Sequence, residues 1–477
     1  MRSLTFGMTV SALALMLSAC AVGPNFRRPE TAVPGHFSET RVGKPGEPIE
    51  EFWLSFEDPV LSQIIEDALE RNTDLRAALA NLDAARAITR QSRLDLFPTV
   101  TASGSGSKSL SSEAALPGVP SDARKATIVS GNIDASWELD LFGRVRRTVE
   151  ASKADAAAVG AELSALQVSI AAEVATNYFQ LRGAQERLAV TQRNVQNQQQ
   201  TVQLTQSRYD IGTGTELDLQ RARAQLASTL AAVPPLENDV AVAEHRLAVL
   251  SGRQPQELVP VLGDARPLPP LPEEVAVGSP AELLRRRPDI QAAERRLAAS
   301  TARIGVAVGD LFPRIVLGGS SGYTATSLSD LVRPANRTWS YGPSVSWPLL
   351  DIGRVRARIS QAGSTADASL AVYQGTVLQA LEETENALTG FVEAKRAGEY
   401  LQQSAAASEA ALKLADIRFQ AGATDFLQVL DAQRTQLTAE DSLVQSRVSG
   451  ATYLVAVYKA VAGGWSQHLP RSVEVAR

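Results

Sequence analysis

Asp95-Leu96-Phe97-Pro98 recurs as Asp310-Leu311-Phe312-Pro313, 215 residues later, and Asp74-Leu75 recurs as Asp289-Ile290 at the same offset. Downstream, Trp137-Glu-Leu-Asp-Leu-Phe-Gly143-Arg144 matches Trp347-Pro-Leu-Leu-Asp-Ile-Gly353-Arg354 at an offset of 210, as Arg208-Tyr209-Asp-Ile-Gly212 matches Arg418-Phe419-Gln-Ala-Gly422. Four matched islands in fixed order imply two copies of one unit. The change of offset falls between Pro98 and Trp137, where a loop absorbs it.

Inside the first copy the apolar positions Leu181, Leu188, Val195, Val202 and Tyr209 step by seven, and Leu166, Ile170, Val174 and Tyr178 step by four. So narrow a stripe is a coiled-coil seam. No proline interrupts Gly143 to Arg208 or Gly353 to Arg418, and each span of 66 residues makes a helix of roughly 99 Å. The glycines of Tyr209-Asp-Ile-Gly212-Thr-Gly214 and Phe419-Gln-Ala-Gly422 end these helices by supplying positive φ. Each chain segment then returns as a second helix, which Pro234-Pro235 should bend in the first copy.

Strands are expected between Pro98 and Trp137 and between Pro313 and Trp347. Ile133, Ala135, Trp137 and Leu139 alternate with Asn132, Asp134, Ser136 and Glu138; Trp339, Tyr341, Pro343, Val345, Trp347 and Leu349 alternate with Ser340, Gly342, Ser344, Ser346 and Pro348. A strand between lipid and a wet lumen needs this period of two, and Trp137, Trp339, Tyr341 and Trp347 fit interfacial aromatic girdles. A hairpin on a soluble sandwich has the same period. Two hairpins supply too few strands to close a membrane barrel alone, so the barrel reading requires an oligomer.

Met1 to Ala19 has the anatomy of a secretory signal: Arg2, an apolar stretch, then small residues. Leu17-Ser18-Ala19-Cys20 resembles the bacterial lipoprotein processing box, which makes the sole cysteine, Cys20, a lipid attachment point; an ordinary signal ending beside a cysteine is the alternative. Ala21 rather than aspartate after it directs such lipoproteins to the outer membrane. The net charge of −5 argues against nucleic acid. Three histidines and one cysteine leave no basis for a Cys/His zinc site. No Walker loop, zinc-protease helix or nucleophile elbow is present, so no enzyme activity, cofactor or metal is expected. Arg285-Arg286-Arg287 reads as local structure before a proline-initiated helix, and Gln196 to Gln200 as a solvated helix face.

Taken with the lipoprotein box, Gly23-Pro24-Asn25-Phe26-Arg27-Arg28-Pro29, the two Leu-Phe-Pro switches, the Trp137 and Trp347 islands, Val233-Pro234-Pro235-Leu236-Glu237, Arg287-Pro288-Asp289 and Phe426-Leu427-Gln-Val-Leu-Asp431-Ala432-Gln433-Arg434 resemble an outer-membrane factor of the TolC superfamily, in its OprM/NodT lipoprotein branch. The resemblance implies a mainly α fold with a membrane β-barrel part: a homotrimer with four strands per chain in one 12-stranded barrel, continued by a coiled-coil α-helical tunnel across the periplasm. It implies a passive exit duct, joined by a periplasmic adaptor to an inner-membrane pump of the resistance-nodulation-division type. Metal efflux, type I protein secretion and a non-conducting periplasmic scaffold are the alternatives.

The corresponding division is a signal (1–19), a lipidated N-terminal extension of an equatorial belt (20–58), a first repeat (59–250, strands about 99–108 and 127–139, long helix about 143–208), an equatorial connector (251–280), a second repeat (281–461, strands about 314–323 and 338–349, long helix about 353–418) and a tail (462–477). By resemblance, Asp431 with Leu427 and Arg434 are gate elements, Asp218 is their first-repeat counterpart, and the turns at Gly212, Gly214 and Gly422 contact the adaptor. Around a threefold axis one aspartate becomes a ring that excludes anions and can be locked by arginine. The plainer reading puts Asp431 and Asp218 in the first turns of the return helices, where the dipole favours carboxylates. Gln428 and Thr424 depart from the TolC-like tip, which carries an acid and an arginine there.

Overall fold

The computed structural model describes residues 21–461 except 40, 42, 45, 47, 48, 50 and 273. The signal, Cys20 and the tail from residue 462 lie outside the described residues.

In chain order the elements are β1 (Gly43–Lys44), α1 (Pro59–Arg71), α2 (Thr73–Leu94), β2 (Thr99–Leu110), β3 (Lys125–Leu139), α3 (Arg144–Asp210), α4 (Glu216–Ala231), α5 (Val233–Leu250), α6 (Val259–Leu262), β4 (Val275–Ala276), α7 (Pro280–Arg286), α8 (Pro288–Gly309), β5 (Arg314–Ala325), β6 (Arg337–Ser346), α9 (Ile352–Gln420) and α10 (Phe426–Ala460). The order helix, strand, strand, long helix, glycine turn, helix thus occurs twice. α3 has 67 residues and α9 has 69, each roughly 100 Å of helix. The return after α3 is more than bent: at Ala232 it divides into α4 and α5. Pro234 and Pro235 lack the N–H groups that would continue the ladder, and they begin α5 instead.

The chain forms two compact units. One holds the described residues through Glu30 with Leu82–Val159 and Ala292–Tyr373; the other holds Thr31–Asn81, Gly160–Gln291 and the described residues from Gln374 onward.

The first unit contains one antiparallel sheet in the order β2-β3-β5-β6. The two hairpins pair through β3 and β5, from Val129 opposite Ala325 to Leu139 opposite Ile315. β6 stops at Ser346, three residues short of the expected 349. Pro348 has no N–H for the ladder, and the Leu349 N–H donates to Trp347 O at 2.9 Å, closing a tight turn. Where strands become helices, Phe142 stacks on Phe312 at 4.5 Å. Around them Arg144 bridges Glu138, Arg146 bridges Asp140, and Asp310 takes Arg314 and Arg358.

The described residues of the second unit form helices and loops apart from the parallel β1–β4 pair. Phe52, Phe56, Phe179 and Tyr458 form an aromatic cluster, and the adjacent Tyr178 hydroxyl donates to Asp58 at 2.5 Å. Burial and that carboxylate push the Tyr178 phenol well above its ordinary pKa. Arg287, the third arginine of its run, is buried. Its guanidinium bridges Asp289 and Glu383, both at 2.7 Å, and donates to Ala460 O, the last residue of α10. One side chain therefore joins α8, α9 and the end of α10, as the local-structure reading requires. Arg287→Ala is expected to cost about 3 kcal/mol. The check is a lowered melting temperature of detergent-solubilised protein, with Arg287→Lys recovering only part because an ammonium cannot fork to both carboxylates.

Candidate functional site

Directly paired residues of an antiparallel sheet project to the same side, so the register fixes the composition of each face. On one face the rows Ala102–Ile133–Ser321–Trp339 and Val100–Ala135–Gly319–Tyr341 cross all four strands, followed by Trp137–Leu317–Pro343 and Leu139–Ile315–Val345. On the other run Thr101–Asp134–Ser320–Ser340, Ser103–Asn132–Gly322–Thr338 and Ser105–Ser130–Thr324. The polar face is cross-linked by its own hydroxyls and acids: Ser103 donates to Asp134 at 3.1 Å, and Ser105 and Ser130 share a hydrogen bond of 2.8 Å.

The apolar face is uncovered. Ile133 is 59% exposed, Trp339 65% and Tyr341 81%, and the last two stack at 5.5 Å. A contiguous exposed apolar face marks a surface built for lipid or a partner. The outer edges of β2 and β6 pair with no strand among the described residues. Unpaired edges of ten to twelve residues invite another chain.

Trp137 and Trp347 share one geometry. The Trp137 indole donates to Leu96 O and the Trp347 indole to Leu311 O, each at 3.0 Å, so both rings are pinned to the helix-to-strand switch of their own copy. Trp347 lies just past β6 rather than in it. Tyr323, on the same apolar face and opposite Arg337, completes the set of aromatic residues; its signal was present in the alternation but lay outside the stretches singled out.

In the second unit the two glycine turns are built alike. Gly212 and Gly422 have φ of +76° and +71°, and their N–H groups donate to Tyr209 O and Phe419 O at 2.9 and 3.0 Å. The next residues, Thr213 and Ala423, donate to Arg208 O and Arg418 O, which completes the paired-bond cap that positive φ makes possible. Thr215 caps α4 by accepting from the Asp218 N–H, and Asp425 caps α10 by accepting from the Gln428 N–H.

The four gate candidates differ. Asp218 sits in the first turn of α4 with its carboxylate accepting from the Thr215 hydroxyl at 2.7 Å. Asp431 lies in the second turn of α10, beyond the reach of the cap, so the first-turn account does not cover it. Asp431 and Arg434 are exposed and have no ion-pair partner among the described residues. Leu427, 49% exposed, lines with Asp431 a shallow groove closed on the α9 side by Ala411 and Ala415.

Two features were not readable in advance. Arg208 reaches from α3 to the end of α9, donating to Phe419 O at 2.9 Å and Gln420 O at 3.2 Å, with its guanidinium 4.2 Å from the Phe419 ring. In the glutamine run, Gln198 is buried at 2% exposure among exposed neighbours, and neither polar atom of its side chain has a partner among the described residues.

The description Outer membrane efflux protein belongs to the family whose pattern matches residues 64–253 and 280–463. The chain belongs to that family. Outer membrane protein OprJ of Pseudomonas aeruginosa is 33% identical over 470 residues, covering 98% of both chains. Nodulation protein T of Rhizobium leguminosarum bv. trifolii is 32% identical, covering 96% of this chain and 97% of that one. Among solved structures, the outer-membrane channel OprN is 45% identical with a TM-score of 0.85, covering 94% of this chain and all of that one. The open state of the Neisseria gonorrhoeae MtrE outer membrane channel is 30% identical with a TM-score of 0.81, covering 93% and 98%. Family members of this kind reside in the outer membrane, and this efflux-family chain is an outer-membrane protein with a mostly helical body and a four-stranded sheet. Within the family fold, α3 is the one described helix that is long and apolar enough to cross a bilayer by length and composition; nearly half of that stretch is buried in packing.

Proposed function

We propose that this chain is the exit duct of a tripartite efflux system. Three copies join their four-stranded sheets edge to edge into one 12-stranded barrel, and the paired long helices form the periplasmic tunnel. The observation that carries the reading is the sheet itself: two unpaired edges, one polar face and one exposed apolar face in continuous register. Closing the sheet around a threefold axis removes both edges, turns the apolar face to lipid and lines the interior with serine, threonine, asparagine and Asp134. Trp137, Trp339, Tyr341 and Trp347 then serve as interfacial aromatics, and Cys20 carries the lipid anchor in the same membrane.

Substrate is delivered by an inner-membrane resistance-nodulation-division pump through a periplasmic adaptor, which docks on the tips at Gly212, Gly214 and Gly422. Leu427, Asp431 and Arg434 form the periplasmic gate; Asp218, the first-hairpin candidate, is held by Thr215 inside the α4 cap and adds at most a minor part to the closure. The likeness to the outer-membrane channel OprN and to the open state of the MtrE outer membrane channel supports a gated channel. The exposure of Asp431 and Arg434, and their lack of an ion-pair partner among the described residues, support placing the gate there.

The test is conductance of the purified mature protein in a planar lipid bilayer. A small, cation-preferring conductance is expected. Absence of conductance from verified, correctly inserted oligomers would move the reading to a periplasmic scaffold.

A further inference from the structure

The register assigns every strand residue of the four-stranded sheet to a face, and the charged ones separate by sign and by height. On the polar face stand Asp134, Glu138 and Arg314, with Arg314 at the end nearer the helices and 3.9 Å from Glu138. On the apolar face stand Lys108, Lys125 and Arg337, all basic and all at the end remote from the helices. Lys125 opens β3, Arg337 opens β6, and Lys108 lies two residues before the end of β2. The opposite end of that face, Leu139–Ile315–Val345, has no charge.

Lys108 and Arg337 are exposed, with no ion pair or side-chain hydrogen bond among the described residues. Lys125 meets Asp122 at 2.7 Å, but that carboxylate is 92% exposed, and so open a pair contributes little. The other acids of the two loops, Glu113 and Asp330, face Arg124 and Arg333. Residues 108–125 and 326–337 together hold five basic and three acidic side chains, a local surplus of positive charge in a chain whose net charge is −5. From Leu139 to Lys125 is fourteen residues of β3, about 48 Å of strand. A tilt of about 45° makes that about 34 Å across a membrane whose hydrocarbon is about 30 Å thick. With Leu139 at the periplasmic boundary, Lys125 and its diagonal neighbour Lys108 stand among the headgroups of the outer leaflet. Below Lys108 on the same face, Gly104 and Gly106 present no side chain, and Gly106 has open space where one would stand.

We propose that these side chains bind a phosphorylated glycolipid of the outer leaflet, its phosphates on Lys108, Lys125 and Arg337 and an acyl chain along the glycine strip. The proposal rests on the barrel, and on its orientation, argued above. Closing the ring sets β6 of one copy beside β2 of the next, so Arg337 of one copy and Lys108 with Lys125 of the next flank one seam. The site is incomplete without both copies. Tyr323 and Trp339, beside Arg337 on the same face, supply the aromatic contacts of an interfacial site. A basic cluster at headgroup level selects anionic lipid, and long basic side chains keep their stems among acyl chains and their ends among phosphates. The lipid thereby fastens the seam between copies from outside.

Native mass spectrometry of the purified mature oligomer, presented with diphosphoryl lipid A, tests this. One bound molecule per seam is expected, with dephosphorylated lipid A and phosphatidylglycerol each held about 10-fold more weakly. Each basic side chain near an anionic headgroup is worth about fivefold, so Lys108→Ala, Lys125→Ala and Arg337→Ala together are expected to weaken lipid A binding about 100-fold. The charge-keeping combination Lys108→Arg, Lys125→Arg and Arg337→Lys is expected to bind as the wild type does, which separates lost charge from lost folding. Equal binding of phosphorylated and dephosphorylated lipid by the wild type overturns the proposal. So does phosphatidylglycerol held as tightly as lipid A, or undiminished binding in a folded triple-alanine protein. Because conductance is read on the same preparation, a conducting protein that binds no lipid A overturns this site alone, and a protein that binds it without conducting overturns the duct alone.

Discussion

Asp431→Ala protein is expected to pass current in planar bilayers at a level roughly 100-fold nearer the fully open state than the wild type. Asp431 and Arg434 are exposed and have no ion-pair partner among the described residues, so in the proposed ring their partners would come from adjacent copies. An exposed ion pair contributes about 1 kcal/mol at most. Three around the axis contribute about 3 kcal/mol, and each 1.4 kcal/mol is tenfold in the closed-to-open ratio. Asp218→Ala is expected to behave differently. Its carboxylate is held by Thr215 inside the α4 cap, so its loss costs about 1 kcal/mol of local helix stability with conductance changed by no more than about twofold. Raising salt should open the wild type beyond the bulk conductivity increase and leave Asp431→Ala following bulk conductivity, because screening acts on the pairs the mutation removes. Equal currents from wild type and Asp431→Ala would discard Asp431 as a gate element.

What could be read from the residues is what local physics determines. Uninterrupted heptad spacing and absent prolines place α3 and α9 within two residues of their observed ends, because helix propagation depends on neighbours in sequence. Glycine at 212 and 422 announces a positive-φ cap for the same reason. The alternation in β3 assigns Ile133 and Asp134 to opposite faces, but it does not say which strand lies beside it. The β3–β5 pairing that merges two hairpins into one sheet is a contact across nearly two hundred residues, and no period encodes it.

Side chains that act at a distance are hidden for the same reason. Arg208 reads as an ordinary basic residue in the last turn of a helix until the end of α9, 211 residues away, is placed beside it. Gln198 looks like its exposed neighbours, yet the helix phase turns that one residue of the run inward. Buried polar groups in a coiled-coil core cost stability and fix register, so this departure from an apolar seam marks a position where packing rather than pattern decides. The strand ends at Ser346, short of the apolar–polar alternation, which continues through Pro348 where the backbone can no longer pair.

Neighbouring residues on β3 give the sharpest test of which way the sheet faces. Ile133→Lys is expected to cost about 2–4 kcal/mol per copy if the residue lies near the bilayer midplane. With three copies the assembly loses roughly 6–12 kcal/mol, comparable to the whole stability of a typical domain. Yield of inserted protein in the outer membrane should fall to background. Asp134→Lys, one residue along, projects to the other face, where Asp134 meets the Ser103 hydroxyl in a row of serines and threonines. Lysine there remains in water, so insertion is expected to be normal. Six units of charge change per ring should instead weaken or reverse the cation preference, read as a shift in reversal potential under a salt gradient. The pair separates a lipid-facing sheet from a protein-covered one. A soluble sandwich would tolerate Ile133→Lys as a surface substitution of a 59% exposed residue, and Asp134→Lys would then leave no trace in ion selectivity. Normal insertion of Ile133→Lys would mean that this face meets another protein surface or water, and the barrel would have to be abandoned.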